Sequence, residues 1–257
     1  MLAVEGVCKR FGGLRAIAGC CLTVDGGTIT GLIGPNGAGK TTLFNLITGF
    51  LKPDSGRIRL GGHDITGFPP HRVFRSGVCR TFQIPRELGG MTVTENLMLV
   101  PPGQLGERLW NPFLRPIAVR TQERALRARA LGVLECLELS HVAEDLARNL
   151  SGGQKKLLEL GRTLMTDPRI VLLDEPGAGV NRTLLKRLAD TIRTLRRERN
   201  LTFLVIEHDM DFVMRLCTPI IVMSEGCVLT KGDPATVQRD PRVLDAYLGG
   251  QYVVAEG

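Results

Sequence analysis

The chain has 257 residues, 43% of them hydrophobic and 23% charged, with a formal net charge of +7. That balance is globular and supplies enough apolar mass for one large domain or two small ones, which excludes a disordered or low-complexity chain. The basic excess suits anionic partners, but the arginines are spread along helix-like stretches ("RALRAR", "RTLRRER"), which argues against a nucleic-acid surface.

In chain order, the first third reads as strands and turns: "LAVEGV", "CLTV", "TITGLIG" and "GRIRLGG" are short, β-leaning and separated by glycines. Within it, "GLIGPNGAGKTTLFNLITG" fits G-x-x-x-x-G-K-[ST] from Gly34 to Thr41, after an apolar strand and before an amphipathic helix. Along Gly34, Pro35, Asn36, Gly37, Ala38 and Gly39, bare backbone N–H groups can wrap a β-phosphate. Lys40 reaches the β- and γ-phosphates, Thr41 ligates Mg²⁺, and Thr42 continues the helix whose N-terminus adds partial positive charge. This predicts nucleoside triphosphate binding.

From about Met91 to Met165 the pattern becomes helical. "TVTENLMLV" opens on a Thr cap, and a Pro/Gly-rich loop with the single tryptophan follows ("PPGQLGERLWNPFLRP"). A long helix comes next, "TQERALRARALGVLECLEL", with Leu126, Ala130, Leu134 and Leu137 on one stripe. In "NLSGGQKKLLELGRTL", Ser151 is an N-cap and Gln154 completes a capping box, ahead of Leu157, Leu158, Gly161, Leu164 and Met165 at helical spacing. A cap does not account for Gly152 and Gly153, which cost helix propensity of roughly 1 kcal/mol each. Such glycines suit a helix N-terminus approached closely by an anion.

The last third alternates buried strands and helices ("RIVLLD", "LLKRLADTIRTLRRER", "LTFLVIEHD", "MDFVMRLC", "PIIVMSEG"), which predicts a parallel sheet with helical cover. The strand in "RIVLLDEP" delivers Asp174 to its carboxyl end, where ligands collect, as a Mg²⁺ ligand. Glu175 follows, placed to orient or deprotonate water. His208, at the end of "LVIEHD", is either structural or a γ-phosphate contact. Seven cysteines without CxxC spacing read as free thiols in a reducing compartment. The opening "MLAVEGVCKRF" lacks a signal-peptide core, and apolar runs such as "IVLL" and "PIIVM" fall short of a membrane span.

"GPNGAGKTT", "TFQ", "LSGGQ", "IVLLDEP" and "EHD", in that order, resemble the ATP-binding subunit of ABC transporters over nearly the whole chain. The resemblance implies an α/β phosphate-loop (RecA-like) core with a mostly parallel sheet, an N-terminal antiparallel β subdomain and an inserted helical subdomain. Its expected boundaries are a single domain over 1–250, with core at 1–85 and 166–250, the helical subdomain at about 86–165 and a tail at 251–257. It implies ATP and Mg²⁺ as ligands, Gln83 as the glutamine sensing Mg²⁺ and the attacking water, and His208 as the switch histidine. Phe11 falls where the family stacks an aromatic on adenine, with core packing as its alternative. Two such subunits stack head to tail, so Ser151, Gly152, Gly153 and Gln154 serve the partner's ATP.

"FGGLRAI", "GAGVN", "VIEHDMDFVM" and "PRVLDAYLG" are similar to ATP-binding subunits of branched-chain amino acid importers. Asn181 and Gly177 depart from the commoner residues after Glu-Pro, which leaves the contacts of that loop across the dimer open. The implied assembly has two transmembrane permease subunits, a second ATP-binding subunit (a paralogue or a second copy), an extracytoplasmic substrate-binding protein acting indirectly, and no nucleic acid. The chain is then peripheral on the cytoplasmic face of the inner membrane. The alternatives are an ABC ATPase of another transporter, with a different substrate or exporting, and a soluble non-transport ABC ATPase. A soluble ribosomal type would carry two cassettes, a DNA-repair type a long coiled-coil insertion, and a GTPase an N-K-x-D motif.

Overall fold

The structure is a computed structural model that describes residues 1–81 and 87–252, the last five of these by backbone alone. The strands are β1 (Leu2–Phe11), β2 (Leu14–Val24), β3 (Ile29–Ile33), β4 (Ser55–Leu60), β5 (His63–Asp64), β6 (Val78–Arg80), β7 (Ile170–Asp174), β8 (Thr202–Ile206), β9 (Ile220–Ser224) and β10 (Cys227–Gly232). The helices are α1 (Lys40–Ile47), α2 (Pro70–Arg75), α3 (Val93–Met98), α4 (Asn111–Leu114), α5 (Pro116–Cys136), α6 (Gly152–Leu164), α7 (Arg182–Arg199), α8 (Met210–Leu216), α9 (Pro234–Arg239) and α10 (Pro241–Tyr252).

Two compact units divide the chain. The first comprises Met1–Arg80, Arg169–Gly177 and Ile192–Gly257. It holds a four-stranded antiparallel sheet, order β2-β1-β4-β5, and a six-stranded sheet, order β10-β9-β3-β8-β7-β6. In the larger sheet β9, β3, β8, β7 and β6 run parallel and β10 pairs antiparallel at the edge. The runs "ITGLI", "IVLLD" and "TFLVI" are buried at every position, the mark of interior strands covered on both faces. β1 instead turns Leu2, Val4 and Val7 inward, as a strand with one wet face does. Those residues join Leu43, Phe44 and Ile47 of α1 in one apolar core with Leu172, Leu204 and Ile221 from the larger sheet. Burying each such side chain stabilises the fold by about 1.5–3 kcal/mol.

The second unit, Thr81–Pro168 with Ala178–Thr191, is helical. Thr92 caps α3 with a full capping box, Thr92 Oγ1 accepting from the Glu95 N–H and Glu95 Oε2 from the Thr92 N–H. The segment read as a loop through Pro116 is partly helical: α4 occupies Asn111–Leu114, and α5 starts at Pro116 rather than Thr121. Proline explains both starts, since its fixed φ and missing N–H suit the first helical turn. α5 stops before Glu138, whose φ of 56° is the left-handed turn that ends helices. Ala130 and Leu134 lie on its buried face as the spacing predicts.

Candidate functional site

The larger sheet sets β3, β8 and β7 side by side and parallel, so their carboxyl ends bring three candidate segments to one edge. β3 runs directly into Gly34. A Cβ there would stand 2.1 Å from the Met223 carbonyl oxygen, so the neighbouring β9 backbone admits glycine alone. Asn36 and Gly37 are exposed at the loop tip, while Ala38 is buried beneath it. α1 then starts behind Gly39, a left-handed N-cap with no capping side chain and no acid in the first turn. Uncapped N–H groups at the positive end of a helix form an anion site. Lys40, buried, folds back along the loop and donates from Nζ to the carbonyls of Gly34 (2.6 Å) and Pro35 (3.0 Å). Burial lowers its pKa from the ordinary value, against an opposing pull from Glu175. Thr41 is exposed and Thr42 half-buried in the first turn.

β7 carries Asp174 to its end, buried, where Arg80 Nη2 approaches its Oδ2 to 2.6 Å. Arg80 also donates to Asn45 Oδ1 of α1 (2.6 Å), and its guanidinium lies 5.6 Å from the Phe44 ring centroid. Glu175 adopts a φ of 48°, an uncommon left-handed conformation for a residue with a side chain. Its N–H donates to the Ile206 carbonyl (2.9 Å), and its Oε1 lies 2.8 Å from His208 Nε2. His208 therefore reaches the carboxylate at the end of the adjacent strand. Beneath them, buried Glu207 accepts the Gly177 N–H at Oε1 and the His208 N–H at Oε2 (3.0 Å), fixing both turns.

Thr41 and Asp174 offer hard oxygen donors of the kind Mg²⁺ takes together with phosphate oxygens. Among the described residues no group of three or more His, Cys, Asp or Glu side chains forms a metal cage of its own, and one or two carboxylates beside a phosphate chain need none.

Phe11 ends β1 with 46% of its surface exposed, which rules out the core-packing alternative. Lys9 Nζ sits 5.8 Å from its ring centroid. Asp54 accepts both Lys9 Nζ and the Arg10 N–H at 2.7 Å, and the hydrogen bond from Lys9 leads in holding its carboxyl below the usual range. Gln83 lies outside the described residues.

The remaining candidates belong to the helical unit. Ser151 caps α6, its Oγ accepting the Gln154 N–H (3.3 Å) while Gln154 Oε1 accepts the Ser151 N–H (2.9 Å). The two glycines differ. Gly152 has open space where a Cβ would point, whereas a Cβ on Gly153 would lie 1.6 Å from Leu184 Cδ2. Packing within this unit thus accounts for Gly153, and the expectation that both glycines are kept bare for an anion narrows to Gly152. Asn181 caps the first turn of α7, its Oδ1 accepting the Leu184 N–H (2.9 Å). Sequence reasoning missed Arg80 and Glu207. A charged residue ending a run of core-strand residues was the available signal, because a buried charge needs a partner.

Family comparison agrees with this geometry. The family model described as "ABC transporter" matches residues 17–178, and one described as "Branched-chain amino acid ATP-binding cassette transporter" matches residues 227–253. The chain is 43% identical to the high-affinity branched-chain amino acid transport ATP-binding protein BraF of Pseudomonas aeruginosa, over 97% of this chain and 98% of that one. It is 40% identical to the probable branched-chain amino acid transport ATP-binding protein LivG of Archaeoglobus fulgidus, over 98% and 96%. Among solved structures, the ADP conformation of an ATP-binding cassette of an ABC transporter superposes with a TM-score of 0.82 at 38% identity, covering 97% of this chain and 98% of that one. The chain belongs to the ABC transporter family, as a nucleotide-binding ATPase cassette.

Proposed function

We propose that this cassette powers an importer of branched-chain or other hydrophobic amino acids, peripheral on the cytoplasmic face of the membrane beneath two permease subunits. Support for the substrate class is the 27-residue match at 227–253 and the names of the relatives. Among the described residues no helix is long and apolar enough to cross a membrane. Both units act as one ATP-binding domain over residues 1–250.

The observation that carries the hydrolytic reading is the Glu175–His208 pair, 2.8 Å apart at the strand ends beside the phosphate loop. The loop from Gly34 to Thr42 receives the phosphates on backbone N–H groups, and Lys40 leaves its carbonyl partners for the β- and γ-oxygens. Glu175 takes the proton from the attacking water, and His208 orients that carboxylate and reads the γ-phosphate. Phe11 stacks on adenine. Thr41, Asp174 and Gln83 hold Mg²⁺, which when bound neutralises charge developing on the phosphate oxygens. Ser151, Gly152 and Gln154 close on the ATP of a second ATP-binding subunit stacked head to tail, and a substrate-binding protein acts on the far side of the permease.

Two measurements test this. Glu175→Gln should bind ATP normally and hydrolyse it about 10²–10⁴ times more slowly; turnover at the wild-type rate would remove Glu175 from the role of base. Tagged Glu175→Gln chain, pulled from native membranes with Mg-ATP, should bring down a second ATPase and two polytopic membrane proteins. Recovery of ribosomal proteins or nucleic acid without a permease would end the transport reading and leave the ATP chemistry standing.

A further inference from the structure

The segment from Pro101 to Ile117 in the helical unit is built inside out. Its two amide side chains bond to backbone groups: Gln104 Nε2 donates to the Met98 (2.8 Å) and Pro101 (3.1 Å) carbonyls, and Asn111 Nδ2 to the Leu105 carbonyl (2.9 Å). Gln122 of α5 clamps the base, accepting the Leu105 N–H (2.6 Å) and donating to the Gly103 carbonyl (3.3 Å). Five of its large apolar side chains face outward: Leu109 is 75% exposed, Trp110 69%, Phe113 77%, Leu114 75% and Ile117 80%. A contiguous set of this kind on a soluble surface marks an interaction site, since scattered single exposures are the norm.

The segment runs on into a basic stretch of α5. Residues 105–124 carry Arg108, Arg115, Arg120 and Arg124 against Glu107 and Glu123, a net +2, and all four arginines are exposed. Arg120 and Arg124 fall one and two turns beyond Ile117 on α5, so the apolar tip passes directly into a basic stripe. The apolar side chains are about three-quarters exposed each, and the amide side chains of Gln104, Asn111 and Gln122 tie the backbone that carries them.

We propose that this segment inserts into an anionic lipid surface, with Leu109, Trp110, Phe113, Leu114 and Ile117 entering the headgroup–acyl boundary and the arginines pairing with lipid phosphates. Two observations favour lipid over a protein partner. Tryptophan beside arginine is interfacial chemistry, an amphipathic ring at headgroup level with snorkelling cations around it. Net positive charge complements an anionic leaflet. The inference rests on the segment alone and is independent of which substrate the transporter carries.

Trp110 is the single tryptophan, so intrinsic fluorescence reads this site directly. Purified full-length chain is titrated with vesicles of equimolar phosphatidylglycerol and phosphatidylethanolamine, and with vesicles of phosphatidylcholine alone. The expected result is a blue shift of Trp110 emission and co-flotation with the anionic vesicles, weaker with phosphatidylcholine and reduced by salt. Phe113→Ser combined with Leu114→Ser should lower the partition coefficient about tenfold or more while ATP hydrolysis in solution stays unchanged. Arg115→Glu with Arg120→Glu should erase the preference for anionic vesicles. Any of three outcomes overturns the proposal: emission unmoved by vesicles, a shift that tracks protein concentration without vesicles and so reports a second copy of the chain, or a shift that appears only when membrane-protein subunits are added. In each case the ATPase readout keeps the catalytic reading separate.

Discussion

Arg80 holds a buried guanidinium among Phe44, Asn45 and Asp174, with side-chain exposures of 8% for Arg80 and 9% for Asp174. A charge pair that dry is costly to break, because removing one partner leaves the other ion desolvated. Arg80→Met should lower stability by about 3 kcal/mol, read as a reduced urea midpoint. Arg80→Met with Asp174→Leu should recover much of that loss, and a fully additive double variant would show that the two side chains are uncoupled. Arg80 also shares Asp174 with the proposed metal role, so it holds the carboxylate in place through β6 and β7, which pair in parallel. Glu207 acts on the same scale: its two oxygens accept N–H groups from Gly177 and His208, which ties the turn after β7 to the turn after β8.

Helix α6 shows how one element answers two demands. Its capping box satisfies the Ser151 and Gln154 N–H groups, and Leu157, Leu158, Leu160 and Leu164 are buried along one face. Against that frame the two glycines make separable predictions. Gly153→Ala pushes on Leu184 and should cost about 1 kcal/mol, relieved by Leu184→Ala. Gly152→Ala meets nothing and should raise the thermal midpoint slightly, by about 0.5 kcal/mol of helix stability. If bare backbone at Gly152 serves a partner's nucleotide, that more stable variant should lose most of its ATPase activity. Full activity in Gly152→Ala would withdraw the role across the dimer.

The molecule as a whole is a nucleotide-linked fold. Ligand that binds the native state stabilises it by about 2.7 kcal/mol at a hundredfold excess over Kd, so the unfolding midpoint should climb with ATP concentration. Lys40→Ala should flatten that climb, because the phosphate loop loses its cation; an undiminished rise would place nucleotide binding elsewhere. The two sheets that carry this site share one apolar core, in which Phe44 of α1 is fully buried. Helix α1 therefore reports phosphate contact at its first turn to the centre of the first unit.

Much of this was legible in the chain itself. Unbroken apolar runs at 170–173 and 203–206 identify interior strands, since no half-wet strand tolerates them, and Gly34–Lys40 with its flanks names a phosphate loop because no other chemistry needs that spacing. Capping chemistry placed the starts of α3 and α6, a purely local matter of one side chain and three N–H groups. What the sequence could not decide were contacts made at long separation. Arg80 meets Asp174 94 residues away, His208 meets Glu175 across 33, and Leu184 rather than a ligand accounts for Gly153. The exposure of Trp110 and Phe113 was equally hidden, because an apolar side chain carries no local mark of which way it faces. Periodicity and caps act within a few residues of the chain, so they are written in it; pairing of charges and the facing of a surface depend on which strands and helices the fold sets side by side.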